Sequence, residues 1–180
     1  EYEKITKKDL FHEGNQIKMG EAVALLSNKT KGEAVVVTDV GQHQMITNRY
    51  YRFKKQNSMI TSGGAGTMGF ALPAAFGAKV AVPHREVVAV IGDGGFQMTL
   101  QELGTIAQSG LPVKIIILNN NFLGMVRQWQ QLFFDNRYSF VELQNPDFIT
   151  IAKGFGIEGH KVSDRSLLSN SLDTLLNSEK

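Results

Sequence analysis

Two side chains that carry oxygen ligands each follow a strongly apolar segment of the chain. Asp93 follows the run Val87–Ile91, and Asn120 follows the β-branched run at 115–118. If the two runs are neighbouring parallel strands, both oxygens emerge at the carboxyl edge of one sheet, where open α/β sheets bind ligands. Hard oxygen ligands beside glycines and the start of a helix suit Mg²⁺ that is bound to a phosphate.

The elements that must position these side chains alternate between strands and helices. The pattern predicts strands at 34–38, 59–60, 87–91 and 113–118. It predicts helices at 17–26, 42–51, 67–82, 100–108, 124–133, 147–153 and from 163 onwards, after a polar lead-in over 1–15. The near-continuous apolar strands are typical of a sheet that is covered on both faces. The alternation predicts a single domain of the α/β class, with a doubly wound, mostly parallel sheet and helices on both faces.

Composition indicates an ordinary globular domain and excludes several kinds of site. The chain has 180 residues, of which 42% are hydrophobic and 20% charged, so it is long enough for one full core. A net charge of only +2 gives no reason to expect nucleic acid or a membrane surface as a partner, and no apolar run approaches the roughly 20 residues that span a bilayer. The absence of cysteine excludes disulfides, zinc–thiolate sites and a thiol nucleophile. The charged first residues show no signal peptide, so we expect a cytoplasmic location.

A glycine-rich loop between a predicted strand and a predicted helix offers a second interpretation. The segment from Gly64 to Gly69 matches the pattern G-x-G-x-x-G, and the next strand is followed by an acid, Asp93, as in a nicotinamide-dinucleotide site. The interval to that acid is longer than the usual spacing of about 20 residues, and the glycines could equally serve close helix-to-sheet packing. A dehydrogenase would bind NAD without Mg²⁺ and would leave Asn120 without a role. A non-enzymatic interaction domain would explain neither strand-end oxygen.

A metal site accounts for both oxygens. Mg²⁺ prefers near-octahedral oxygen coordination at about 2.1 Å and usually shares its ligands between protein and phosphates. Asp93 would supply a charged carboxylate, Asn120 a neutral amide oxygen, and the backbone near Phe122 a carbonyl. Two diphosphate oxygens and a water would complete the shell. The alternative is that Asp93 and Asn120 are turn residues that cap helices.

Four segments of the chain are distinctive: Gly92-Asp93-Gly94 to Asn119-Asn120, TDVGQHQM at 38–45, SGGAGTMGF at 62–70 and GMVRQWQ at 124–130. The first resembles the thiamine-diphosphate binding motif of thiamine-diphosphate enzymes. The other three resemble the large, catalytic subunit of acetolactate synthase (acetohydroxyacid synthase). The resemblance extends from about residue 17 to residue 155 and covers only the C-terminal, cofactor-binding domain of that enzyme. A pyruvate oxidase or decarboxylase shares the metal motif, but the segments at 38–45 and 128–130 favour acetolactate synthase.

The resemblance implies a role for each matching residue. Gln42 and His43, after Gly41, should approach the diphosphate, and Met68 should lie between the two rings of the cofactor and force its bent shape. The other implied cofactor-binding residues are Gly66, Gly92, Asp93, Gly94, Gly95, Asn120, Leu123, Gly124 and Met125, and the implied metal ligands are Asp93, Asn120 and Phe122. Trp129, one helical turn after Met125, should help to select a 2-ketoacid acceptor. On the residues alone, Met68 is equally a core methionine and Trp129 a packing tryptophan.

The implied reaction is the decarboxylation of pyruvate and its condensation with a second 2-ketoacid, such as 2-ketobutyrate, in branched-chain amino acid biosynthesis. In this family a glutamate of the N-terminal domain activates the pyrimidine ring, and a middle domain binds FAD. The large subunits form a homodimer and associate with a small regulatory subunit. Because neither of those domains lies within residues 1–180, we expect no catalytic residue in this chain and no activity from the chain alone. A final strand is also expected beyond the last helix.

Overall fold

The sheet has four strands, all of them parallel, in the computed structural model, which describes residues 2–10 and 13–179. The strands are β1 (Val35–Thr38), β2 (Met59–Thr61), β3 (Val87–Gly92) and β4 (Lys114–Leu118), in the spatial order β2-β1-β3-β4. This arrangement confirms the predicted α/β class.

The helices of the described residues fill the intervals between the strands. They are α1 (Tyr2–Leu10), α2 (Met19–Lys29), α3 (Gln42–Tyr50), α4 (Ala71–Ala81), α5 (Asp93–Thr99), α6 (Glu102–Ser109), α7 (Gly124–Phe133), α8 (Phe148–Gly154) and α9 (Leu168–Asn177), with a 3₁₀ turn at Arg165–Leu167. None of the helices within residues 2–10 and 13–179 is long and apolar enough to cross a membrane.

Helices cover both faces of the sheet because successive strand side chains point to opposite sides. On one face, Val35 and Val37 of β1 pack in a cluster with residues of α4, α5 and α6. On the other face, Val36 packs with residues of α2 and α9, including Leu26 and Leu172. Every residue of β1 is buried, which explains why its sequence is β-branched throughout instead of alternating with polar residues.

The connections that leave the two central strands lead to opposite edges of the sheet. The connection from β1 leads to β2 at one edge, and the connection from β3 leads to β4 at the other. The carboxyl ends of β1 and β3 therefore form the kind of crevice at which open α/β sheets bind ligands. Gly92 of β3 pairs with Leu118 of β4, so Asp93 and Asn120 do follow neighbouring parallel strands, as the sequence predicted.

The polar lead-in contains a helix that the sequence did not predict, at Tyr2–Leu10. Residues 1, 11 and 12 of the lead-in lie outside the described residues. Tertiary contacts at the end of α1 explain the difference, since short helices depend on packing more than on propensity. The Tyr50 hydroxyl donates a hydrogen bond to the Asp9 carboxylate, and Leu10 packs against the cluster around α2. A charged sequence gives no sign of such contacts.

The crossover between β3 and β4 contains two helices where the sequence predicted one. The first, α5, begins directly at Asp93, and its glycines concealed it because glycine is a poor helix former. The Gln97 amide donates to the Asp93 backbone carbonyl at 3.2 Å, and the Thr99 hydroxyl donates to the Gly69 carbonyl at 2.8 Å. The first bond stabilises α5 internally, and the second holds it against the loop before α4. The helix α4 itself begins at Ala71, and not at residue 67 as the sequence predicted, because the chain first turns at Gly69, which has a positive φ of 82°.

Candidate functional site

A cleft at the carboxyl edge of the sheet brings together most of the predicted site residues. Its lining includes Gly41, Gln42, His43, Met68, Gly92, Asp93, Gly94, Gly95, Asn120, Phe122, Leu123, Gly124 and Met125. It also includes four residues that the sequence did not single out, namely Met19, Val40, Leu118 and Val126. Two predicted residues, Gly66 and Trp129, lie outside this lining.

Asp93 is buried, and only one of its carboxylate oxygens is engaged by the described part of the chain. Its Oδ2 accepts hydrogen bonds from the Asn121 backbone N–H at 2.8 Å and from the Asn145 amide at 2.7 Å. Within residues 2–10 and 13–179, Oδ1 has no hydrogen-bond partner. The side chain is thus held in one orientation, and its Oδ1 remains available to a ligand in the cleft.

Asn145 is a site residue that the sequence reasoning missed. Its amide nitrogen also lies 2.9 Å from Asn119 Oδ1 and 3.0 Å from Asn121 Oδ1, and its own Oδ1 accepts from the Gln97 amide at 2.8 Å. The amide group therefore ties the segment before α8 to the residues that follow β4 and to α5. Nothing in the spacing of Asn145 could have revealed this, because it lies 52 positions from Asp93.

The segment after β4 is fixed at Asn120 and Phe122. Asn120 Oδ1 accepts a hydrogen bond from the Phe122 N–H at 3.1 Å, which leaves a second lone pair on that amide oxygen. Phe122 pairs with Glu142 in an isolated antiparallel bridge, and the Leu123 N–H donates to the Val141 carbonyl at 2.8 Å. The described residues contain no group of three or more His, Cys, Asp or Glu side chains that could hold a metal. The predicted ligand set has a single carboxylate, so an ion here would depend on oxygens from a ligand.

His43 lies at the beginning of α3 and is bound to a fully buried carboxylate. Its Nε2 is hydrogen-bonded to Asp39 Oδ1, while Asp39 Oδ2 accepts from the Gly69 N–H at 2.8 Å. Asp39 lies in the segment 38–45 but was not among the predicted site residues. The signal was present, because Asp39 follows β1 as Asp93 follows β3.

Three glycines of the cleft leave little room for a side chain of their own. A Cβ on Gly92 would lie 2.8 Å from His43 Nδ1, and one on Gly124 would lie 2.3 Å from Gln42 Oε1. A Cβ on Gly94 would lie 2.6 Å from the Leu123 side chain. The Cβ at Gly92 would meet the buried ring of His43, whereas those at Gly124 and Gly94 would first meet the movable ends of the Gln42 and Leu123 side chains. A larger residue is therefore most costly at Gly92, and the predicted role of these glycines in cofactor binding stays a prediction.

Gln42 links the cleft to a second groove along α7. Its amide donates to Gln128 Oε1 at 3.0 Å, so Gln128 contributes to the site through a contact that the sequence did not predict. The groove shares Gln42, Asn120, Phe122 and Gly124 with the cleft and continues along Arg127, Gln128, Gln131 and Leu132. The Arg127 guanidinium lies 4.1 Å from the centre of the Phe122 ring, a cation–π contact.

Met68 and Met125 both line the cleft, whereas Trp129 faces outward. The Met68 methyl lies 3.6 Å from the point where a Cβ on Gly94 would stand, so its side chain reaches towards α5. Trp129 is 56% exposed and packs against Phe133 with ring centres 5.1 Å apart. Its predicted contact with substrate stays a prediction.

The G-x-G-x-x-G segment follows β2, which is the edge strand of the sheet. Gly64 and Gly66 are exposed, and a Cβ on either would meet no atom within 4 Å. A dinucleotide phosphate loop follows a central strand at the point where the strand order reverses. The dehydrogenase interpretation therefore gains no support from the position of this loop.

The chain belongs to the family described as thiamine pyrophosphate enzyme, C-terminal TPP binding domain, whose sequence profile it matches over residues 39–180. Its relatives include large subunits of acetolactate synthase. The chain is 48% identical over 169 residues to the acetolactate synthase isozyme 2 large subunit of Escherichia coli K12, covering 93% of this chain and 31% of that protein. It is 51% identical over 148 residues to the large subunit of Parasynechococcus marenigrum, covering 81% of this chain and 24% of that protein.

A solved structure with the same fold comes from a more distant relative. The thiamine diphosphate-dependent 4-hydroxybenzoylformate decarboxylase of Rhodococcus jostii RHA1 matches with a TM-score of 0.85 and 27% identity, over 94% of this chain and 32% of that chain. The present chain thus spans about a third or less of the length of these relatives. It is a thiamine-pyrophosphate-binding domain similar to that of acetolactate synthase large subunits.

Proposed function

We propose that this chain binds the diphosphate of thiamine diphosphate through Mg²⁺ and serves as the cofactor-binding domain of an acetolactate synthase large subunit. The proposal rests on the hydrogen bonding of the Asp93 carboxylate. One oxygen is immobilised by two hydrogen bonds and the other is free of them, in a cleft at the switch point of the sheet. A carboxylate fixed in this way is preorganised to bind a cation without losing side-chain freedom.

The charges around the cleft support a metal ion as the bridge. A diphosphate carries several negative charges, and the cleft lining within the described residues has neither lysine nor arginine. His43 is the one basic side chain in that lining. A divalent cation on Asp93, Asn120 Oδ1 and the Phe122 carbonyl would supply the missing positive charge and would share its remaining positions with phosphate oxygens and water.

The other lining residues fit the two ends of such a cofactor. The diphosphate would bind to the polar part of the lining, which offers side-chain donors and backbone without a covering Cβ. These residues are Gln42, His43 and the glycines at 41, 92, 94, 95 and 124. Met68, Leu123 and Met125 give the cleft an apolar part, where Met68 would support the bent cofactor. Gly66 and Trp129 would join the site beside the pyrimidine ring and the 2-ketoacid acceptor, respectively.

The cofactor supplies the chemistry of decarboxylation when it is bound, by accepting the electrons of the broken C–C bond. The residues of this chain would bind and bend it and exclude water from the reacting carbon. The proposed substrates are pyruvate and a second 2-ketoacid such as 2-ketobutyrate. We further propose a cytoplasmic homodimer with FAD in a separate domain and a small regulatory subunit. The pyrimidine-activating glutamate would come from outside residues 1–180, so this chain alone should form no acetolactate.

Titration calorimetry of thiamine diphosphate tests the proposal directly. We expect the full chain to bind the cofactor with Mg²⁺ and to lose that binding when the metal is chelated. Asp93→Ala should abolish the Mg²⁺-dependent binding, because it removes the only carboxylate of the proposed ligand set. Asp173→Ala is the matched control, since Asp173 lies on α9 with its side chain 52% exposed. Equal binding by the Asp93 variant and the control would contradict the proposed metal site.

The product separates acetolactate synthase from a decarboxylase or an oxidase. The Rhodococcus jostii relative is a decarboxylase by name, but its identity of 27% is well below the 48% shared with the Escherichia coli acetolactate synthase subunit. In an enzyme that contains this domain, pyruvate should yield a five-carbon acetolactate skeleton. Acetaldehyde or acetate as the main product would favour the alternatives.

A further inference from the structure

We propose that Asp39 is a positioning residue that holds His43 and the loop bearing Met68 in place through its two carboxylate oxygens. The proposal concerns Asp39 itself and rests on the proposed function only for the identity of the anion that His43 would meet. Asp39 has no exposed surface and lies between the ends of β1, α3, the loop before α4, and α5. A carboxylate buried to this extent is costly unless it is hydrogen-bonded, and both of its oxygens are.

The first oxygen determines which nitrogen of His43 carries the hydrogen in the neutral ring. An ionised carboxylate can only accept hydrogen bonds, so opposite ionised Asp39 the Nε2 of His43, which contacts Oδ1, must carry the hydrogen. The opposite edge of the ring then faces Gly92, where a Cβ would lie 2.8 Å from Nδ1. Gly92 and His43 both line the cleft. In the neutral ring, Nδ1 is therefore the nitrogen without a hydrogen.

The second oxygen positions the residue that should shape the cofactor. Asp39 Oδ2 accepts from the Gly69 N–H at 2.8 Å, and Gly69 directly follows Met68. Gly95 closes the space on the remaining side, because a Cβ there would lie 1.9 Å from Oδ2. One carboxylate thus fixes an imidazole and a methionine-bearing loop relative to each other.

This arrangement has a consequence for the binding of a diphosphate. Phosphate oxygens accept hydrogen bonds, so Nδ1 must carry a hydrogen when it meets one. Since Asp39 retains the hydrogen on Nε2, the ring that binds the anion has both nitrogens protonated. The buried Asp39 carboxylate would balance its positive charge.

Nitrogen NMR of the imidazole rings in the full ¹⁵N-labelled chain tests the proposal. Spectra recorded up to the pH at which His43 is neutral should show hydrogen on Nε2 and none on Nδ1. In Asp39→Asn, the Asn oxygen should accept from Gly69 and its NH₂ should face Nε2, which moves the hydrogen of the neutral ring to Nδ1. This is the change of tautomer that an Asp-to-Asn substitution produces beside a histidine. Hydrogen on Nδ1 in the unsubstituted chain would overturn the proposal, even if the Asn variant failed to fold.

A buried substitution elsewhere on α3 provides the control. Thr47 is buried on the same helix and its hydroxyl has no hydrogen-bond partner within the described residues, so Thr47→Val should leave the His43 tautomer unchanged. A change of tautomer in this variant would mean that helix packing, and not Asp39, selects it.

Saturation with Mg²⁺ and thiamine diphosphate then separates this proposal from the proposed function. Both His43 nitrogens should become protonated in the unsubstituted chain, whereas the Asp39→Asn variant should retain a bare Nε2. A bare Nδ1 at saturation would overturn the role of the pair in binding the anion. Failure of the cofactor to bind would contradict the proposed function, and the tautomer of the free chain would still decide whether Asp39 positions His43.

Discussion

Replacing Gly95 with alanine should destabilise this domain, although alanine is the better helix former. Gly95 is a buried residue in the first turn of α5. A Cβ there would lie 1.9 Å from Asp39 Oδ2 and 2.8 Å from its Cγ. The carboxylate is fully buried and bonded to His43 and Gly69, so it has no free space into which it can move. The added methyl group must therefore displace either the carboxylate or the helix.

The magnitude follows from three opposing contributions to the free energy of unfolding. Alanine in place of glycine inside a helix contributes about 1 kcal/mol in favour of the variant. Overpacking a filled interior costs about 1–3 kcal/mol. Weakening the hydrogen bonds of a charged group costs about 1.5–3 kcal/mol more. The expected net loss is about 2–5 kcal/mol, a large part of the total of about 5–15 kcal/mol that domains of this kind possess.

Urea unfolding followed by circular dichroism measures this difference, with Gly77→Ala as the matched control. Gly77 lies inside α4, and a Cβ there would meet no atom within 4 Å. The control should raise the urea midpoint, because only the helix preference of alanine remains. The Gly95 variant should lower the midpoint with a similar slope. If Gly95→Ala were as stable as the unsubstituted chain, the idea of a rigidly held Asp39 carboxylate would be refuted.

Two further predictions concern the pH dependence of stability. Hydrogen bonds from the Thr150 hydroxyl and from the backbone N–H groups of Thr150 and Ile149 lower the pKa of Asp147, the N-cap of α8, below its ordinary value of 3.8. Asp147→Ala should lower the melting temperature near neutral pH. The difference in melting temperature between the variant and the unsubstituted chain should shrink as the pH falls below 3.8 through the lowered pKa. A difference that persists in strong acid would contradict this capping role. Burial raises the pKa of Tyr51 above 10.0, so its contribution to stability is present below pH 10 and is lost as the pH rises through the raised value. Tyr51→Phe should lower the free energy of unfolding by about 1 kcal/mol near neutral pH, because the hydrogen bond to Thr30 is lost. In urea unfolding, the variant should lose less stability than the unsubstituted chain as the pH rises above 10. An equal loss in both would assign the alkaline destabilisation to other groups.

The sequence predicted the parts of this fold that local pattern controls. The buried strands were visible as β-branched runs, and the position of Asp93 and Asn120 at one sheet edge followed from those runs and from the direction of parallel strands. The helix α1 was not predicted because its stability comes from contacts such as that between Asp9 and Tyr50, which are far apart in the chain. Asn145 escaped for the same reason. Side chains that act through long-range hydrogen bonds leave no periodic signal.

Asp39 and Asp93 are nearly equivalent in sequence, since each follows a buried strand at the centre of the sheet, yet their environments give them opposite capacities. Asp39 is hydrogen-bonded at both oxygens by groups of its own chain and has no exposed surface, so it can hold neighbours in place but is closed to a ligand. Asp93 receives both of its donors on one oxygen and keeps the other for the cleft. The difference arises from which N–H groups the fold brings to each carboxylate, and not from the residue type or its place after a strand. A metal ion is therefore expected to select Asp93 over Asp39, even though both carboxylates lie at the same edge of the sheet.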